Sequence, residues 1–270
     1  MLLNLYPALL LLGGLCCLGH YVCTLRLKKL PQAVDPWQGE WSDFLWFLWL
    51  VIFGVFAGSF ASDILYKGLG LASDTEDKTR FLFNGIGMQI GMLIVVCGYP
   101  LISKKDRGQL NTRTLPWPRA AAIAAYGFLA AMPLLALLQF LLTAGLDHLG
   151  IEAPLQSIIE MLRESYSLME WAMIVLMTVV LAPLTEELLF RAGLYRFLKS
   201  RCHPSIAANI SALLFALIHA NAFSFLPLWL LGVFLVYSYE YSGSIRVPIL
   251  WHAFFNLNTL IFLALEPSGG

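Results

Sequence analysis

The sequence predicts an all-α, polytopic integral membrane protein of about eight transmembrane helices. Of 270 residues, 59% are hydrophobic and only 13% are charged, about half the charge content of a soluble domain. The apolar residues fall in runs near twenty long that recur along the whole chain, enough to cross about 30 Å of hydrocarbon at ~1.5 Å per residue. A mean hydropathy of +0.74 and 13% aromatic residues exclude a disordered chain, which is rich in charge and poor in aromatics. Seventeen basic and seventeen acidic residues cancel, so no global charge points to nucleic acid, and the bilayer is the expected environment.

The expected spans are 3–25, 44–65, 82–103, 119–144, 169–190, 204–221, 225–241 and 247–265. The first follows no basic residue and is followed by Arg26, Lys28 and Lys29. That is the reverse of a secretory signal peptide, and Gly13-Gly14-Leu15-Cys16 is a poor lipoprotein cleavage site, so a retained helix with its amino end outside is expected. The second and third spans carry Gly54-x-x-x-Gly58 and Gly87-x-x-x-Gly91, a spacing that permits close helix contact. Between the fourth and fifth, Leu155, Ile158, Ile159 and Leu162 sit on a helical spacing, which fits either an interfacial helix or a packed loop helix. The fifth contains Pro183, which removes one backbone hydrogen bond and is expected to bend the helix. The sixth and seventh are short and divide only near Asn221. Trp37, Trp41, Trp117 and Trp171 fall at span ends, as interfacial anchors do.

With the amino end outside, the inner loops carry thirteen Lys or Arg and the outer loops four, in accord with the positive-inside rule. Cys16, Cys17, Cys23, Cys97 and Cys202 lack metal-ligand spacing and read as free thiols. Gln89, Gln139 and Asn209 read as interhelical glue, while Asp63 and Glu240 lie near span ends and need no function. The chain reads as one continuous membrane domain, residues 1–150 without a recognised motif and residues 151–270 with all of the motifs.

Ionisable side chains inside a bilayer cost roughly 2.5–3.5 kcal/mol each at a helix centre, which makes them functional candidates. They gather in the last third. The fifth span ends in Glu186-Glu187-Leu188-Leu189-Phe190-Arg191, the sixth in Phe215-Ala216-Leu217-Ile218-His219, and the eighth opens with His252-Ala253-Phe254-Phe255-Asn256. Glu187 and Arg191, four apart, share a helix face and can pair; His252 and Asn256 share another, whereas Glu186 is turned about 100° from Glu187. If the fifth helix runs on to a turn near His203, Glu186 lies seventeen residues before the turn and His219 sixteen after it. An antiparallel hairpin then sets them level. Arg191, Arg196, Lys199 and Arg201 are expected to stay in water, so part of that hairpin projects into the cytoplasm.

Glu186-Glu187-x-x-x-Arg191, Phe215-x-x-x-His219 and His252-x-x-x-Asn256, in order on three apolar segments, resemble the three motifs of the CAAX protease and bacteriocin-processing family. That family includes the type II CAAX prenyl endopeptidases, and the resemblance covers roughly residues 169–262. It implies an intramembrane glutamic-type endopeptidase, with Glu186 as the base that deprotonates water and His219 helping to hold that water. It implies that His252 and Asn256 position the substrate carbonyl and stabilise the oxyanion, with Glu187 and Arg191 fixing the helix and local field behind them. These residue types suit peptide hydrolysis, which needs a base in reach of water and donors aimed at the growing negative charge. The implied partners are a peptide or membrane-anchored protein substrate and the lipid bilayer, without nucleic acid or cofactor. The implied location is the bacterial cytoplasmic membrane, with the site toward the cytoplasm.

Three other readings compete. Two histidines and a glutamate can bind zinc, but His219 and His252 lie on different helices and no H-E-x-x-H motif is present. A non-catalytic scaffold or immunity protein would use the same groups only to bind a peptide. A transporter would want paired inverted halves with broken helices, whereas the polar residues here cluster in one third of the chain.

Overall fold

The computed structural model describes residues 2–25, 34–70, 78–102, 114–150 and 167–265. These form helices α1 (Leu2–Leu25), α2 (Trp41–Gly68), α3 (Lys78–Ile102) and α4 (Trp117–His148). They continue as α5 (Leu168–Lys199), α6 (Pro204–Leu217), α7 (Ala222–Ser242) and α8 (Arg246–Leu265). Six of the helices are long and apolar enough to span a membrane, and the apolar stretches of α1 and α6 are shorter. The polytopic all-α architecture expected from composition is therefore present. The 155–162 segment lies outside the described residues, as do Arg26, Lys28 and Lys29.

The helices pack in two groups joined through α5. Helices α2 and α3 form a hairpin; α1 lies on α4, which also contacts α7 and α8; and α6 packs on α7. The α2–α3 seam is glycine on glycine. A Cβ on Gly54 would come within 2.7 Å of the Gly91 carbonyl, and one on Gly87 within 2.6 Å of the Gly58 carbonyl. Close approach of backbones is how helices associate when lipid surrounds both of them. The outer face of α2 bears Trp46, Trp49, Phe53, Phe56 and Phe60, all exposed, as a lipid-facing surface requires.

Helix α5 is not uniform. It runs as α-helix over Leu168–Val175, as π-helix over Leu176–Leu181, as α-helix over Ala182–Glu187 and as π-helix again over Leu188–Tyr195. Two wide turns thus bracket the segment that holds Glu186 and Glu187. Such turns are rare and occur often at functional sites.

Several expectations are corrected. Helix α5 extends to Lys199, nine residues past its predicted end. Of its basic residues, Arg191 is fully buried, Arg196 is 4% exposed and the Lys199 side chain 6%, whereas water was expected around them. Protein groups replace the water. Segment 34–39 lies across the end of α5: Arg196 Nε donates to the Asp35 carbonyl (2.6 Å), Lys199 Nζ to the Val34 carbonyl (2.7 Å), and Arg201 to the Gly39 carbonyl. Trp37 N–H donates in return to the Arg196 carbonyl (2.9 Å).

Glu240, expected to be idle, accepts from Lys199 Nζ (2.5 Å), Tyr195 Oη (2.6 Å) and the Val34 N–H (3.3 Å). A buried carboxylate is tolerable when it is paired and hydrogen-bonded in this way. Trp37, expected at an interface, is 3% exposed among Phe44, Phe47, Tyr99 and Phe197. Trp41 and Trp117 are exposed, as anchors should be. Helix α6 ends at Leu217 rather than 221; the chain turns through Ala220 at φ 48°, and Asn221 Oδ1 caps α7 by accepting from the Phe223 and Ser224 N–H groups at 3.0 Å each.

Candidate active site

The site is assembled where α5, α6, α7 and α8 meet. Glu187 is fully buried and its Oε1 accepts two bonds: from Arg191 Nη1, one turn on, at 2.8 Å, and from His252 Nδ1 on α8 at 2.9 Å. The i, i+4 spacing predicted the first contact; the second crosses between helices and spacing could not predict it. Arg191 turns its Nη2 to the Gly232 carbonyl of α7 (3.2 Å) and lays its guanidinium over the Phe215 ring, 4.4 Å from the centroid. Charge, hydrogen bond and ring face together offset the cost of burying a cation.

Glu186 faces differently, as a 100° turn requires. Its Oε2 lies 3.9 Å from His252 Nε2, and this buried oxygen has no hydrogen-bond partner among the described residues. The imidazole of His252 therefore stands between two carboxylates, hydrogen-bonded to Glu187 through one nitrogen and presenting the other to Glu186. The ring itself is only 3% exposed.

Phe215 links the second histidine of the site to this group. Its ring packs edge-on against His252 (5.6 Å between centroids) and against His219 (5.0 Å). His219 lies just past the end of α6, its Nδ1 2.8 Å from the Phe215 carbonyl. A carbonyl can only accept, so Nδ1 carries the proton there and Nε2 of the neutral ring is left as an acceptor.

Asn256, one turn beyond His252 on α8, donates from Nδ2 to the Thr178 carbonyl at 2.7 Å. The backbone explains why that carbonyl is free. In the first π-helical turn the Ala182 N–H bonds five residues back, to the Met177 carbonyl. The next N–H in that register would come from residue 183, which is proline and has none. The Thr178 oxygen is thereby released from the helix and receives the Asn256 amide instead. Pro183, expected to act as a bend, sits at the junction where it leaves this acceptor open.

Sequence reasoning passed over Thr178 and Gly232, which contribute only backbone carbonyls. It read Gln89 as glue, and Gln89 on α3 is hydrogen-bonded with Thr185 Oγ1, the residue before Glu186; both are buried. Of the predicted residues, the structure brings Glu186, Glu187, Arg191 and His252 into one cluster, places His219 beside it through Phe215, and seats Asn256 on the neighbouring turn. Among the described residues no set of three or more His, Cys, Asp or Glu is arranged to hold a metal ion.

Residues 168–258 match the family model of the Rce1-like type II CAAX prenyl endopeptidases. The chain is similar to UPF0177 protein YbdI of Lactococcus lactis subsp. lactis (strain IL1403), 36% identical over 96 residues, which are 34% of this chain and 49% of that protein. It is also similar to the membrane-embedded CAAX protease MroQ of Staphylococcus aureus (strain USA300), 32% identical over 96 residues, 33% of this chain and 38% of that protein. The match thus spans about half or less of the length of the curated relatives. No solved structure matches. The resemblance read from the three motifs holds over the last third of the chain, the part that contains every residue of the cluster except the Gln89 support.

Proposed function

We propose that this protein is an intramembrane endopeptidase that cleaves a peptide bond in a peptide or membrane-anchored protein, with Glu186 as the base that activates water. The observation that carries the proposal is the pairing at 3.9 Å of an unpartnered, buried Glu186 Oε2 with a His252 ring anchored from behind by Glu187. A carboxylate in that setting can take a proton from water within hydrogen-bond reach. Asn256, steadied by one N–H on Thr178, has a second N–H with which to stabilise the oxyanion, and His219 flanks the same group through Phe215. Preorganised donors are worth most where water is excluded. The match of residues 168–258 to CAAX prenyl endopeptidases supports proteolysis, and the name of the Staphylococcus relative describes a protease embedded in a membrane.

The reaction as proposed needs no cofactor. The excess of basic residues in alternate loops supports an orientation with the amino end outside and the site toward the cytoplasm, and a bacterial cytoplasmic membrane is the proposed location.

The test compares membrane and secreted peptides from cells carrying the wild-type protein and Glu186→Gln by terminus-mapping mass spectrometry. The substitution keeps side-chain shape and removes the base. A neo-terminus present with wild type and lost in the variant, at equal protein levels, is the expected result. Identical termini in the two would overturn the assignment.

A further inference from the structure

We propose a lipid-binding site away from the carboxylate and histidine cluster, in which Arg246, held on Trp117, receives the phosphate of an anionic phospholipid where the first turns of α4 and α8 meet.

The side chain is fixed before any ligand arrives. Arg246 is the first residue of α8, and its Nη1 donates to the Leu115 carbonyl, just ahead of α4, at 2.6 Å. Its guanidinium lies over the Trp117 ring, 4.6 Å from the centroid. Both contacts tie the start of α8 to the start of α4. They use one N–H and one face of the guanidinium, and the side chain makes no other hydrogen bond or ion pair among the described residues. A guanidinium carries five N–H donors in a planar fork, so Nη2 and Nε keep an edge that matches two oxygens of a phosphate.

The positive charge there is uncompensated. Neither α4 nor α8 has an acidic residue in its first turn, and Arg119, in the first turn of α4, is exposed. Glu240, near the end of α7, is already engaged by Lys199, Tyr195 and the Val34 N–H. A lipid whose headgroup is negative overall neutralises this charge, whereas a zwitterionic one brings an ammonium that the arginines repel.

Depth selects a lipid as the source of the phosphate. Helix α8 has 20 residues, about 30 Å at ~1.5 Å per residue, which matches the thickness of the hydrocarbon core. Its first residue therefore lies at the edge of the hydrocarbon, where the headgroup phosphates are. Trp117, 54% exposed, stands at the same level because Arg246 is held against it, and an indole suits that boundary. Arg246 is half-buried, with its stem along protein and its head free to reach the phosphate layer. A phospholipid bound here would hold the first turns of both helices at one depth.

The experiment is thermal unfolding of the full-length protein in detergent micelles, followed by circular dichroism, with added phosphatidylglycerol, phosphatidylcholine or inorganic phosphate. Phosphatidylglycerol at about ten times its Kd should raise the melting point by about 3–6 °C, and the other two by less than about a third of that. Arg246→Gln, measured against its own lipid-free baseline, should lose the phosphatidylglycerol shift. Arg246→Lys keeps the charge but not the planar fork and should lose at least half of it. Trp117→Leu removes the ring and no charge; it should also lose at least half, and it decides if Arg246→Gln does not fold. Equal shifts from the two lipids overturn the proposal, as does an Arg246→Gln that responds like wild type. A shift from inorganic phosphate equal to that from phosphatidylglycerol overturns the assignment to a lipid.

Discussion

Replacing Arg191 by Met isolates the value of the buried ion pair. Wild-type Arg191 and Glu187 are both fully buried and 2.8 Å apart. Met fills much of the same volume but leaves the Glu187 carboxylate with His252 as its remaining donor and the Gly232 carbonyl without its 3.2 Å bond. Removing one partner of a buried pair costs about 3–5 kcal/mol, because the other charge stays in a low dielectric. At roughly 2–4 °C per kcal/mol for a chain of this size, the melting point should fall by about 10 °C. The assay is thermal unfolding in a fixed detergent, followed by circular dichroism. Glu187→Gln/Arg191→Met removes both charges while the Gln carbonyl or amide still meets His252, and it should recover more than half of the loss. A single variant melting within about 1 kcal/mol of wild type, or a double variant no better than the single, would refute the pairing as described.

Other outcomes follow from the same geometry. Pro183→Ala restores an N–H that can compete for the Thr178 carbonyl and should loosen Asn256, lowering kcat by about tenfold at unchanged expression; Thr178→Val, which leaves that carbonyl in place, should change kcat by less than about twofold. Asn256→Asp sets a carboxylate against the Thr178 carbonyl and removes both amide donors, and cleavage should fall by at least about a hundredfold. Glu240→Ala strips three donors of their shared acceptor and should destabilise the protein by about 3 kcal/mol, read by melting, with the Lys199 cation accounting for most of it. Cleavage by the wild-type protein should survive exhaustive chelation with undiminished kcat; metal-dependent loss and recovery would restore the zinc alternative.

Much of this was legible in the sequence because the bilayer imposes simple rules. Apolar length located the helices, and the intolerance of lipid for charge singled out Glu186, Glu187 and Arg191. Four-residue spacing paired Glu187 with Arg191 and aligned His252 with Asn256. What stayed hidden depends on backbone rather than on residue type. The π-helical turns leave no mark in a 3.6-residue period, so neither the free Thr178 carbonyl nor its hold on Asn256 could be read. The end of α6 was misjudged because Ile218, Ala220 and the intervening residues look like continuing helix, while the Asn221 cap and the positive φ at Ala220 end it. The burial of Arg196 and Lys199 was missed because their partners are main-chain carbonyls of segment 34–39, which has no periodicity to betray its path.

The glycine seam between α2 and α3 has a consequence for exchanging parts among relatives. Through Gln89 on Thr185, the position of the base depends on α3, and the position of α3 depends on backbone contact with α2 at Gly54, Gly58, Gly87 and Gly91. All four glycines lie outside the 168–258 segment that the family model recognises. A chimera that transplants only the recognisable segment would set Thr185 against a foreign surface, whereas one that carries α2 and α3 with it keeps both sides of the contact. The exchangeable unit is thus larger than the recognisable one, and its far boundary is marked by glycines rather than by catalytic residues.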